Sequence, residues 1–167
     1  MEIRKALVDD LVAIMKILRV VVPKMIEARN FQWDNSYPNE SVFLNDISFG
    51  RLWVSIIDSK VVGFAAITTD QEPEYAEVGW DINEVAIVTH RLAVDPAFKG
   101  YGVGVSLLKK AEDVAIENGI KILRIDTNVA NEATKKLFPK CGYTYCGEIG
   151  LSFRPGLRFY CYEKILN

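Results

Sequence analysis

Residues 94–104 read Val-Asp-Pro-Ala-Phe-Lys-Gly-Tyr-Gly-Val-Gly, and no other stretch narrows the possible folds as much. A β-rich run ends at Asp95-Pro96, three glycines alternate, and apolar residues then recur at helical spacing from Val105. The pattern predicts strand, tight turn, helix. Glycine permits backbone conformations that other residues avoid and lets the chain come close to a ligand. A helix start adds unpaired N–H groups and the positive end of the helix dipole. Together they form a cradle for a phosphate, and Lys99 at its lip can add a point charge. A P-loop is excluded, because no Lys-Ser or Lys-Thr follows the last glycine. A dinucleotide-binding turn belongs near the first strand of a βαβ unit, whereas this one lies past the middle of the chain. A turn whose glycines serve only the fold stays open as an alternative.

The flanking sequence gives the order β α α β β β α β α β β. Residues 2–7 predict a strand, and Asp9 or Asp10 is placed to cap the helix after it. Leu11, Ile14, Ile17, Leu18, Val21 and Val22 give that helix an apolar face, and Pro23 is expected to kink or divide it. Residues 30–39 are rich in turn formers yet carry Phe31, Trp33 and Tyr37, so they either pack on the core or line a pocket. A short helix is expected over 39–48. A hairpin follows, Leu52–Ile57 and Val61–Thr69 about an Asp58-Ser59 turn. Residues 70–83 read as an acidic, aromatic loop and 84–94 as a strand. After the helix that follows the glycines, closed by Asn118-Gly119, come a strand over 120–126 and a helix over 131–138. Two more strands, 143–147 and 157–164, flank a turn at Arg154-Pro155-Gly156.

The 167 residues suit one compact domain, 1–167, with no repeat or linker to divide it. Lys plus Arg number 20 against 22 Asp plus Glu, so the basic excess that marks generic nucleic-acid binding is missing. No run approaches the ~20 apolar residues of a membrane span. The start, Met1-Glu2-Ile3-Arg4, lacks the pattern of a secretory signal, so a cytoplasmic location is expected. Cys141, Cys146 and Cys161 lack metal-ligand spacing, and reduced thiols with no bound metal are expected.

Two motifs are densest. The first is Leu92-Ala93-Val94 followed by Lys99, Gly100, Gly102 and Gly104. The second is the strand Leu123–Thr127, then Asn131, then Leu137-Phe138-Pro139-Lys140-Cys141-Gly142-Tyr143. At these residues the chain resembles the GNAT-type, acetyl-coenzyme-A-dependent N-acetyltransferases, and the resemblance runs over nearly the whole chain. It implies an α+β fold of three layers, α/β/α. Its mixed sheet has about seven strands, splayed at the coenzyme strand, and carries about four helices. It implies acetyl-CoA as cofactor. The pyrophosphate would lie on backbone N–H groups of Lys99, Gly100, Tyr101, Gly102, Val103, Gly104 and Val105. The pantetheine arm would run along Leu92, Ala93 and Val94, with a backbone N–H near Leu92 facing the thioester oxygen. Asn131 matches an asparagine that contacts the arm. Phe138 stands where the family usually has a tyrosine acid, so it counts as a coenzyme-pocket residue without a hydroxyl. That departure keeps open a coenzyme-binding sensor that has lost turnover.

Acetyl transfer to an amine needs a proton acceptor. With uninterrupted strand alternation, Glu84, Ala86, Val88, His90 and Leu92 share one face. His90, the only histidine, is then a candidate base beside the reacting carbon, or else a hydrogen-bonded pocket wall. Glu84 is the second candidate. Asp126 can cap the turn after its strand or bond to His90. Trp33, Tyr37, Glu77 and Trp80 fall on the two loops that the resemblance places around the acceptor. They suggest a small amine or a peptide N-terminus as substrate. A homodimer could form along the edge at Leu157–Lys164.

Overall fold

The computed structural model describes residues 1–167. Seven strands form one sheet in the order β1-β2-β3-β4-β5-β7-β6. They are β1 (Glu2–Lys5), β2 (Leu52–Ile57), β3 (Lys60–Thr68), β4 (Ile87–Val94), β5 (Ile122–Asn128), β6 (Thr144–Leu151) and β7 (Arg154–Ile165). Helices α1 (Leu11–Glu27) and α2 (Glu40–Ser48) cover one face, and α3 (Val103–Glu117) and α4 (Glu132–Lys140) the other. This is the three-layer mixed α/β/α arrangement read from the sequence. No helix is long and apolar enough to cross a membrane.

The apolar periodicities account for the layers. Ile14, Ile17, Leu18 and Val22 of α1 pack with Phe43, Val54, Phe64 and Ala93, while Leu108, Ala111 and Ala115 of α3 pack with Leu123, Ile125 and Phe138. Phe43 meets Phe64 edge-on at 5.2 Å and fixes α2 on the sheet. Gly63 lets α3 start close over β3. A Cβ there would lie 2.7 Å from Val103 Cγ1 and 3.0 Å from the Ala93 carbonyl.

Several local expectations are corrected. Pro23 neither kinks nor divides α1; it lies inside the helix on its exposed side. Asp10 does not cap α1. Its Oδ2 accepts from the Leu7 N–H at 2.7 Å while its carboxylate grips Arg4. β4 begins at Ile87, so Glu84 precedes the strand. Arg154-Pro155-Gly156 is the start of β7, not a turn. β7 also lies between β5 and β6, so the free edge is β6, not Leu157–Lys164.

The sheet forks in the middle. β4 and β5 are its only parallel pair, and they are in register only at Ile87↔Leu123 and Val88↔Arg124. Both strands run on past that point without pairing to each other. In the same stretch β4 slips against β3: Ala66 faces His90 but Phe64 faces Ala93. Two residues, Arg91 and Leu92, therefore oppose Ala65 alone. This is a β-bulge, and Arg91 sits in it with φ 51. The fork and the bulge position the site.

Candidate functional site

A cavity of about 580 Å³ opens in the fork, within the range of small-ligand sites. One end lies between β4 and α4 and is lined by Leu92, Ala93, Val94, Asn131, Leu137 and Phe138. The other lies beneath α1 and the 30–39 loop and is lined by Met25, Trp33, Tyr37, Glu72, His90 and Asp126. Beyond the Val94 end stands the glycine turn. Gly100 and Gly102 hold φ of 86 and 77, and a Cβ on either would meet only open space. No backbone carbonyl accepts from the N–H groups of Val103, Gly104 or Val105, and the first helical bond of this turn is Ser106 N–H to Gly102 O at 3.0 Å. A cluster of donors without backbone partners at a helix start fits a pyrophosphate. Lys99 and Tyr101 are exposed at its rim, but their N–H groups already donate to the Pro96 and Phe98 carbonyls, each at 3.2 Å, so these two do not join the free donors expected there. Residues 99–105 thus lie outside the enclosed cavity but continue it along β4.

Asn131 caps α4, its Oδ1 accepting from Thr134 N–H at 3.2 Å, and still lines the cavity. Phe138 is buried and meets the Tyr162 ring edge-on at 5.3 Å. It offers the cavity a packing face. Neither sequence neighbour supplies the missing hydroxyl. Tyr143 is buried beside Phe138, outside the cavity lining, with its phenol unpartnered. Burial raises the Cys141 thiol, and that residue does not line the cavity either.

At the end beneath α1 the bulge corrects the parity expected for β4. Ala66 and Phe64 face α1, so their partners His90 and Ala93 face α1 too, while Leu92 packs toward α3. His90 and Leu92 therefore lie on opposite faces. His90 Nε2 is 3.0 Å from the Asp70 carbonyl oxygen. A carbonyl only accepts, so Nε2 carries the proton and Nδ1 is left with its lone pair. Burial lowers the pKa of the ring, which favours that neutral form.

Glu84 is not brought to the cavity. It is exposed ahead of β4, with its Oε2 3.8 Å from Arg124 Nη2. Glu77 is exposed on the 3-10 turn Pro73–Val78, and Trp80 is buried away from the cavity against Tyr75 and the Arg124 guanidinium. Of the loop residues named from sequence, Trp33 and Tyr37 do line the cavity; Trp33 is also core.

Two carboxyl groups take the place of Glu84 and Glu77. Asp126, on β5, shares the face of His90 across the fork. The Tyr75 hydroxyl donates to its Oδ2 at 2.5 Å, and burial raises its pKa to about 6. Glu72 lines the same end, and burial, with Glu74 and Asp70 nearby, raises its pKa also. The sequence signal for Asp126 was its place at the end of the strand beside the coenzyme strand. For Glu72 there was only an acidic loop. Arg91 also lines the cavity, unforeseen, with its guanidinium turned to Asp46 of α2.

No group of three or more His, Cys, Asp or Glu side chains is arranged to hold a metal ion. Comparison with known proteins identifies the family to which this fold belongs. The chain is 30% identical over 138 residues to an IAA acetyltransferase from Azospirillum brasilense, covering 80% of this chain and 83% of that protein. It is 24% identical over 113 residues to the human N-acetylaspartate synthetase, covering 68% of this chain but only 34% of that longer protein. Among solved structures, a GNAT-family acetyltransferase from Streptococcus agalactiae superposes with a TM-score of 0.84 at 26% identity, over 99% of this chain and 95% of that one. The yncA protein of Salmonella typhimurium, solved with its cofactor acetyl-CoA, superposes at 0.71 and 20% identity over 100% and 94%. Residues 22–143, which hold both motifs and the fork, match the family model described as acetyltransferase (GNAT) family, and the chain belongs to that family.

Proposed function

We propose that this protein transfers the acetyl group of acetyl-CoA to the primary amine of a small molecule or a peptide N-terminus. The observation that carries the reading is the continuity of the fork. An open cradle of unpaired N–H groups leads along one unpaired side of β4 to a cavity whose far end holds groups able to accept a proton. The residues present fit the coenzyme. Val103, Gly104 and Val105 would hold its pyrophosphate, Leu92 to Val94 its arm, and a backbone N–H of the bulge its carbonyl oxygen. When bound it would supply the activated acetyl group.

The chain's own work is then to bind, orient and deprotonate the amine. Glu72 and Asp126 attract a cationic amine to the far end. His90 and Asp126 stand on the same face of the two strands that flank the fork. His90 through Nδ1, or Asp126, accepts the proton, since both groups exist as bases at neutral pH. Trp33, Tyr37 and Met25 offer apolar wall to the rest of the substrate. Phe138 lines the cavity without a hydroxyl, so this chain would offer no tyrosine acid to the leaving thiol, whose modest basicity makes one dispensable.

Calorimetry with acetyl-CoA, followed by free-thiol release over a panel of amines, tests the reading. Binding in the micromolar range with thiol release for at least one amine is the expected result. No binding at millimolar acetyl-CoA overturns it. Binding without release for any amine would favour the sensor reading, for which Phe138 is the specific observation.

A further inference from the structure

Arg91 holds a left-handed backbone, φ 51, that costs a side-chain-bearing residue free energy unless its surroundings impose it. The surroundings are explicit. Arg91 Nε donates to Asp46 Oδ2 at 2.7 Å and its Nη2 to Asp46 Oδ1 at 2.8 Å, a two-pronged grip of fixed geometry. Asp46 is 0% exposed, on a helix that Phe43 locks to the sheet one turn earlier. A second guanidinium, Arg51, donates from Nε to Asp46 Oδ1 at 2.9 Å, and its own Nη1 meets Asp70 at 2.8 Å. Asp70 in turn offers its carbonyl to His90. A buried carboxylate is thus paired with two guanidinium groups, and both lead back to β4.

We propose that Asp46 is a positioning residue for acetyl transfer: by holding the Arg91 side chain it fixes the bulge, and the bulge aims the backbone donor at the acetyl carbonyl oxygen. The proposal rests on the acetyltransferase reading above. It also gives the Asp46–Arg91 pair a sense that an ordinary core ion pair lacks. The pair joins α2 to the one irregular residue of β4, at the point where the sheet forks, and no regular stretch of sheet needs it. The Arg91 Nη1 reaches the Tyr37 hydroxyl at 3.4 Å, so the same anchor touches the acceptor loop.

The test uses acetyl-CoA carrying ¹³C at the thioester carbonyl and reads that carbonyl's stretch by isotope-edited infrared difference spectroscopy. This needs no acceptor. In the wild-type protein the bound carbonyl should absorb at lower frequency than in water-free solution, as a hydrogen-bonded carbonyl does. Arg91→Ala and Arg91→Gly remove the same anchor and leave Asp46 with Arg51 alone, but only glycine takes φ 51 at no cost. Arg91→Gly should therefore keep most of the shift, and Arg91→Ala should lose most of it. Asp46→Ala should behave like Arg91→Ala. With any amine the wild type accepts, kcat should fall about 10- to 100-fold in Arg91→Ala, while coenzyme A affinity stays within about threefold. Equal shifts in the alanine and glycine variants would overturn the proposal, as would an Asp46→Ala protein with wild-type shift and kcat. If Asp46→Ala does not fold, the Arg91 pair still decides. If the wild type binds no acetyl-CoA, the acetyltransferase reading itself has failed, an outcome separate from a bound carbonyl that ignores Asp46.

Discussion

Replacing Asp126 by asparagine should make the protein more stable at neutral and alkaline pH and leave its stability unchanged in acid. The wild-type carboxyl has its pKa raised by burial from 3.8 to about 6. An acid whose pKa is raised on folding binds more protons folded than unfolded, so its contribution to stability is fully present below 3.8. That contribution is lost as pH rises through about 6. A displacement of roughly two units is worth about 3 kcal/mol. The carboxyl lines a cavity that water enters, so about 2 kcal/mol is the working figure. Asparagine carries no charge at any of these pH values, and its Oδ1 can still accept from the Tyr75 hydroxyl. Urea unfolding of both proteins from pH 4 to 8 reads the effect. Titrating groups that do not feel Asp126 are common to the two proteins and cancel in the difference; Glu72, whose charge faces it, is relieved in the variant at high pH, which adds to the effect in the same direction. The variant should match the wild type near pH 4 and exceed it by about 2 kcal/mol at pH 8, or ~4–8 °C in Tm for a chain of this size. A difference that does not change with pH would refute the assignment of a strained, ionised Asp126. The expected accompaniment is loss of turnover, because a carboxylate held ionised against its surroundings is useful only if a proton or a cation comes to it.

Three further outcomes are expected. Gly102→Val should abolish acetyl-CoA binding by calorimetry while lowering stability by only ~1–2 kcal/mol. The new residue is strained at φ 77, but its Cβ meets no protein atom. His90→Gln should lower kcat/KM by about 10²-fold with acetyl-CoA affinity nearly unchanged, and the acidic limb of the pH–rate profile should move or vanish. Activity should survive a strong chelator, since no metal-binding cluster exists; loss on EDTA treatment that zinc or magnesium restores would contradict this.

The glycine turn and the strand leading to it were legible because their signal is local. Strand, glycines and helix follow one another within eleven residues, and on the proposed reading the backbone itself would bind the ligand. The second motif, Leu123–Thr127, Asn131 and Leu137 to Tyr143, falls on β5, on α4 and on the turn after it, and Leu137 and Phe138 line the same cavity as Leu92 to Val94. The acceptor half depends on residues far apart in the chain. Tyr75 and Asp126 are 51 positions apart, and nothing in the spacing of either marks the hydrogen bond between them. Glu72, Glu77 and Glu84 are equivalent as residue types. Only the path of the 70–86 segment decides that Glu72 enters the cavity while the other two stay in solvent. Arg154-Pro155-Gly156 misled for a related reason. These residues have turn chemistry, and β7 accommodates it: β5 ends its pairing at Asn128↔Phe159, and the β6 register jumps from Gly150↔Arg158 to Leu151↔Arg154, so Pro155 and Gly156 have no strand partner. A proline is tolerated on a strand with one free side.

The error with the largest functional consequence came from a single residue. Alternation along β4 is a sound rule for a regular strand, and it put His90 beside Leu92. One positive φ reverses it. A glycine or asparagine at position 91 would have announced the bulge. Arginine does not, because its backbone preference is against that conformation. What makes Arg91 adopt it is a buried carboxylate 45 residues earlier in the chain. The irregularity therefore belongs to tertiary structure, and this separates its behaviour from that of the glycine turn. The turn should survive changes to the core, since glycine needs no help to hold its φ. The bulge should fail when its anchor is cut, and the acetyl end of the site should loosen while the pyrophosphate end still binds. On this reasoning, variants that weaken α2 against the sheet, such as Phe43→Leu at the Phe64 contact, should reduce turnover more than coenzyme affinity. A Phe43→Leu protein that lost both in equal measure would place the weakness in the fold as a whole rather than in the bulge.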